Sequence, residues 1–152
     1  MAVTVFANLD EVQAGVGRHL GHSDWLEITQ ERIDTFAEAT GDHQWIHVDA
    51  KRAADGPFGT TIAHGYLTLS LSNLFLPQIV DVQGISMGIN YGVNKVRFPV
   101  PVPVGSRVRA GAELAAADPI PGGLQTTIVI TIEIEGGDKP ACVIEALSRY
   151  LA

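Results

Sequence analysis

Residues 65–75 read GYLTLSLSNLF, and their apolar members, Tyr66, Leu67, Leu69, Leu71, Leu74 and Phe75, spread round the helical wheel instead of forming one stripe. That pattern predicts a helix buried on every side. Pro77 is expected to end it, because a proline inside a helix removes an amide donor and collides with the preceding turn. The chain after this helix alternates. In Leu124–Glu135, Ile128, Ile130, Ile132 and Ile134 fall on one face and Thr127, Val129, Thr131, Glu133 and Glu135 on the other, the period of a half-buried antiparallel strand. Ser106–Ala117 and Ala141–Leu151 are predicted strands of similar length, with PIPGG (Pro119–Gly123) and GGDKP (Gly136–Pro140) as the turns between them. Gln83–Asn90 and Lys95–Phe98 supply two shorter strands. The expected fold is α+β, an antiparallel five-stranded sheet wrapped around one central apolar helix. A single sheet covers only part of a helix, so a second copy of the chain is expected to extend the sheet edge to edge as a homodimer.

Upstream, Asn8–Ala14 reads as a short helix ending at Gly15, and Trp25–Ile28 as a short strand. Thr29 suits an N-cap, behind which Ile33, Phe36, Ala37 and Thr40 share a helical face, and Gly41 supplies the left-handed residue that stops the helix. Asp49 can cap another short helix through Ala54, before Gly56, Pro57 and Gly59 force an irregular excursion. No repeat or long linker divides the chain, so residues 1–152 are expected to form one domain.

Composition excludes several classes of function. The net charge is −7, with 10 Lys and Arg and no basic tract interleaved with aromatics, which argues against a nucleic-acid partner. No run of about 18 apolar residues occurs, and the first residues lack a basic segment followed by an apolar core, so neither a membrane anchor nor a secretory signal is expected. The lone cysteine, Cys142, lies in an alternating strand pattern and reads as a packed thiol of a cytoplasmic protein.

The chemistry is concentrated in Ala39–Gly65, ATGDHQWIHVDAKRAADGPFGTTIAHG. Asp42 and His47 fall in one short loop, where a carboxylate and an imidazole can hold a water between them. A helix starting near Gly65 directs unpaired N–H groups toward the same space. Each residue also has a plainer reading. Asp42 after Gly41 suits a turn in which the side chain bonds its own backbone, His47 and His64 suit hydrogen-bonded structural roles, and Ser70 suits back-bonding within its helix. His43 and His47 have the i, i+4 spacing of zinc ligands, but Gly41 and Trp45 favour a loop over a helix, and no metal is expected.

These residues resemble the MaoC-like dehydratases of the hotdog fold, among them the (R)-specific enoyl-CoA hydratases and the NodN-like proteins. The hydratase pattern runs Gly-Asp-x-Asn-Pro-x-His-x-Asp and, after a loop, an apolar residue followed by Ala-His-Gly. Here Gly41, Asp42, Gln44, Trp45, His47 and Asp49 are followed by Ile62, Ala63, His64 and Gly65. Gln44 and Trp45 depart from Asn-Pro in the manner of the NodN-like branch. A weaker similarity covers Asn90–Arg109. The resemblance implies reversible hydration of trans-2-enoyl thioesters to (R)-3-hydroxyacyl thioesters, on CoA or an acyl-carrier protein, with no cofactor. It assigns Asp42 and His47 to the water and the Gly65 amide to the thioester oxygen. It assigns His64, Tyr66 and Ser70 to substrate binding, with Tyr66 in the core or the acyl pocket and Ser70 near enough to support Asp42. Of Lys95, Arg97, Arg107 and Arg109, most are expected on a solvated strand face, with one or two free to meet a phosphate. The alternatives are a hotdog acyl-CoA thioesterase and a non-catalytic acyl-thioester-binding subunit.

Overall fold

The computed structural model describes residues 2–152. Thr4–Phe6 (β1) leads into Leu9–Ala14 (α1), whose N-terminus is closed by the Asn8 side chain accepting from Glu11 N–H. His19–His22 (β2) and Leu26–Glu27 (β3) precede Gln30–Thr40 (α2), capped by Thr29 as its sequence suggests. Two short helices follow, Trp45–Val48 (α3) and Ala50–Ala54 (α4), the second capped by the Asp49 side chain. Gly65–Ser70 (α5) and Ser72–Ile79 (α6) form the central helix, and Val80–Val82 (β4) leaves it. The chain ends in four strands, Met87–Arg97 (β5), Arg107–Ile120 (β6), Gly123–Ile134 (β7) and Cys142–Leu151 (β8).

The main sheet runs β2-β6-β7-β8-β5 with every pairing antiparallel, and β3 adds a sixth strand beside β6. Separately, β1 and β4 pair in parallel. Register follows the isoleucine alternation: Ile128, Ile130 and Ile132 oppose Leu114, Ala112 and Ala110 on one side and Ala146, Ile144 and Cys142 on the other. Because successive side chains alternate across the sheet, these residues form one buried face, against which Leu67, Leu71, Phe75 and Ile79 of the central helix pack. Burying one such side chain contributes roughly 1.5–3 kcal/mol, so this layer is a large part of the core.

Four expectations need correction. The central helix is covered on one side only: Leu67, Leu71, Phe75 and Ile79 are buried, while Leu74 is 44% exposed and Tyr66, expected in the core or a pocket, is 72% exposed. The apolar residues encircle the helix, but within one chain the sheet reaches half of it. Pro77 lies inside α6, which runs on to Ile79. Both Pro77 and Asn73, whose carbonyl loses the amide partner, are exposed, so water can serve that carbonyl. The expected strands Gln83–Asn90 and Lys95–Phe98 merge into one strand, β5, whose register irregularities at Asn90/Gly92 and Val93/Val96 carry the pairing across the residues between them. The expected Trp25–Ile28 strand shortens to Leu26–Glu27. Among the described residues, no helix is long and apolar enough to cross a membrane.

Candidate active site

The site is launched by Gly41. Its φ of 82° lies in the left-handed region, where its N–H caps Ala37 and the chain turns sharply off α2. Asp42 follows, and its carboxylate accepts from Gln44 N–H at 3.2 Å, the turn role open to it from sequence. Asp42 is exposed, because the end of α2 lies at the surface of the chain. His43 turns away to pair with Glu38 at 2.8 Å, and that hydrogen bond raises its pKa. The i, i+4 spacing of His43 and His47 therefore brings no pair of ligands together.

His47 sits on α3, a helical turn where sequence suggested a loop; Asp49 N–H bonds back to Trp45 C=O and closes it. That turn swings the imidazole inward until it is 6% exposed. His47 Nδ1 lies 2.7 Å from the carbonyl of Ile62. A carbonyl can only accept, so Nδ1 carries the hydrogen and the neutral ring keeps its lone pair on Nε2. The backbone of His47 is held as well: its carbonyl accepts from Gln30 Nε2 at 2.8 Å, and Gln30 Oε1 accepts from the buried Thr61 hydroxyl at 2.6 Å. Neither Gln30 nor Thr61 was singled out from sequence. They lie 31 positions apart, outside the span of any local pattern.

His64 is 3% exposed and stacks on His47, with ring centroids 3.9 Å apart and planes inclined by 22°. Phe36 of α2 packs against its ring at 4.9 Å, and its Nε2 donates to the Asp42 carbonyl at 3.0 Å. One ligand atom from each of Asp42, His47 and His64 lies within 4.8 Å of the others. The stack disfavours a metal there. Near-parallel rings aim their lone pairs along separate planes, whereas a zinc ion at about 2.0–2.1 Å must lie in the plane of each imidazole.

A cleft of about 340 Å³ joins His47 to Gly65, walled by Phe58, Thr68, Phe98 and Val102 among others. The N–H groups of Gly65 and Tyr66 open α5 and have no partner among the described residues. A β-carbon at Gly65 would lie 3.3 Å from the Phe98 ring, so the glycine lets that ring close over the helix start. Phe98 was missed because it is the residue just after β5, far away in sequence. A larger concavity of about 530 Å³ runs along α2 between Thr29 and Ala39, but none of the polar trio lines it. The smaller cleft is where imidazole and free amides meet.

Tyr66 and Ser70 stand outside this cleft. Tyr66 meets Phe98 edge-on at 6.3 Å, and the Ser70 hydroxyl bonds back to Leu67 C=O at 2.8 Å instead of reaching Asp42. Both border a second groove between the helix and β5. Arg107 and Arg109 pair with Glu135 and Glu133 at 2.8 and 2.6 Å and lie over Trp25, which accounts for them as strand-face residues. Lys95 and Arg97 have no acidic partner among the described residues.

An antiparallel sheet packed against one apolar central helix is the hotdog fold. The MaoC like domain model matches residues 11–132, and the chain belongs to that family. It is an enzyme, a hydro-lyase. Over 148 residues it is 54% identical to a Mycobacterium tuberculosis protein named 3-hydroxyacyl-thioester dehydratase Z, covering 97% of this chain and 98% of that one. It is 46% identical to Nodulation protein N of Rhizobium leguminosarum bv. viciae over 138 residues, 88% and 85% of the two chains. The fold matches R-hydratase PhaJ1 from Pseudomonas aeruginosa with a TM-score of 0.74 at 24% identity, over 90% of this chain and 81% of that one.

Proposed function

We propose that this protein is an (R)-specific enoyl-CoA hydratase, adding water reversibly to trans-2-enoyl thioesters to give (R)-3-hydroxyacyl thioesters. The observation that carries the reading is the tautomer of His47, whose lone pair is left on Nε2 in a cleft shared with the unpaired Gly65 amide. Water held between Asp42 and His47 loses a proton to this pair as its oxygen bonds to the β-carbon. The alkene electrons move toward the thioester, whose oxygen gains charge opposite the Gly65 N–H. The α-carbon then takes a proton from the same pair, so atoms and charge balance without a redox step. Which of Asp42 and His47 holds the proton at each stage belongs to the coupled pair. The name of the M. tuberculosis relative supports a 3-hydroxyacyl thioester as the substrate of the reverse direction. Acyl-CoA, or an acyl-carrier thioester, is the expected ligand, with Lys95 or Arg97 available to its phosphates.

Residues 1–152 act in this reading as one domain of a cytoplasmic protein. Two copies pair through β5, an edge strand with Met87, Ile89, Tyr91 and Val93 exposed along it. The test is to incubate the purified protein with crotonyl-CoA, following loss of conjugated enone absorbance and release of free thiol, and to resolve the product on a chiral phase. Absorbance loss without thiol, giving the (R) product, is expected. Thiol release would replace this reading with a thioesterase, and saturable binding without either change would replace it with a binding subunit.

A further inference from the structure

We infer that His64 is a positioning residue, which rests on the hydratase reading above: its imidazole clamps the Asp42 backbone and the His47 ring to the start of α5 and thereby sets the distance across which the reaction runs.

Three elements converge on this one side chain. Its Nε2 donates to the Asp42 carbonyl at 3.0 Å, tying the segment after α2 to a residue 22 positions later. Its ring stacks on His47 at 3.9 Å, fixing the plane in which His47 presents its lone pair. Its own main chain caps α5, so the free Gly65 amide is the next residue along. Phe36 packs against the ring from α2, at 4.9 Å, and leaves it little freedom to turn.

The other ring nitrogen separates positioning from proton transfer. Nε2 bonds to a carbonyl and therefore carries the hydrogen, which leaves Nδ1 as an acceptor. Nδ1 is buried and has no partner among the described residues. That nitrogen has no surface open to the cleft, so His64 acts in this inference through position and not through proton transfer. An aromatic hydrocarbon would fill the same space without leaving a buried acceptor unserved. What the imidazole adds over such a ring is the donor to Asp42. Reactions at pre-set geometry are sensitive to it, since a displacement of about 1 Å can lower a rate roughly 10²-fold.

The test compares two variants of the full chain. His64→Phe keeps the stacked ring and loses the donor, whereas His64→Gln keeps an amide N–H at about the reach of Nε2. With crotonyl-CoA, His64→Phe is expected to lower kcat about 10²-fold with KM within about threefold, while His64→Gln recovers to within about tenfold of the parent. Hydrogen exchange supplies a readout independent of turnover: amides 42–47 should exchange about tenfold faster in His64→Phe and near the parent rate in His64→Gln, with β6, β7 and β8 unchanged. If His64→Phe does not fold, His64→Asn replaces it, because its shorter amide falls short of the Asp42 carbonyl. Parent-like turnover in the donor-deficient variant would overturn the inference, as would unchanged exchange at 42–47 or a Gln variant as impaired as Phe. A parent protein inactive on enoyl thioesters, with the exchange pattern as expected, would overturn the hydratase reading and leave the clamp standing.

Discussion

The ring nitrogen Nδ1 of His47 donates to the carbonyl of Ile62 at 2.7 Å, and this bond leaves the lone pair on Nε2. Ile62 is itself fixed, since its N–H returns a 3.0 Å bond to Ile46 C=O. The histidine is thus held at its ring by Ile62 and at its main-chain carbonyl by Gln30, a rigid mounting for the imidazole.

His47→Ala and Asp42→Asn are each expected to slow crotonyl-CoA hydration by about 10² or more, because positioned proton transfer commonly supplies about 10²–10⁴. Steady-state rates, set beside circular dichroism melts that match the parent, check this. Near-parent turnover in both variants would remove the pair from the mechanism.

Gly41→Ala isolates a backbone effect. The space over Gly41 is open, with nothing within 4 Å of an added β-carbon, so the penalty is that of forcing a side chain into φ 82°. A loss of about 1–2 kcal/mol in urea unfolding is expected. Turnover should fall as well, because Asp42 leaves the helix directly from this turn.

Burial pushes the Cys142 thiol up to about 11. The unfolded chain releases that proton nearer the ordinary thiol range of about 8.5. The folded pKa being the higher, this group's contribution to stability is complete below the unfolded value and is lost as pH climbs from there through about 11. Chemical denaturation midpoints at pH 8 and pH 10.5 should fall in the parent and fall less in Cys142→Ala. A thiol reagent at pH 8 should label the parent only after unfolding.

Ile89→Lys places a charge on the outer strand of the sheet, where Ile89 is exposed in a single chain. Sedimentation of the parent is expected to give a dimer and of this variant a monomer, since edge lysines are a general bar to strand pairing. A monomeric parent would remove the homodimer from the proposed function.

Local features were legible in sequence because local physics sets them. Thr29 and Asp49 cap their helices by reaching amides three residues ahead, and Ile128, Ile130 and Ile132 face the core because side chains alternate along a strand. The juxtaposition of Asp42, His47, His64 and Gly65 was visible as a motif in one continuous segment. Relations that close over distance were not visible. Phe98 over Gly65 and the Thr61–Gln30–His47 chain depend on how separate elements pack, which no window of sequence contains. Tyr66 and Leu74 misled because hydrophobicity records that a face is to be covered and is silent on whether the same chain covers it. Pro77 misled because the bond it deletes faces water, where the loss is small.

The polar groups of the cleft and the sheet that supports them occupy separate stretches of chain. The segment from Asp42 to Gly65 contributes the polar trio and the free amide of the cleft, while β6, β7 and β8 contribute hydrogen bonds and isoleucine packing without sending a residue into the trio. A protein divided in this manner can be retargeted by exchanging one insert while its frame is left alone, and its frame can be rewritten for heat or solvent tolerance without retuning the chemistry.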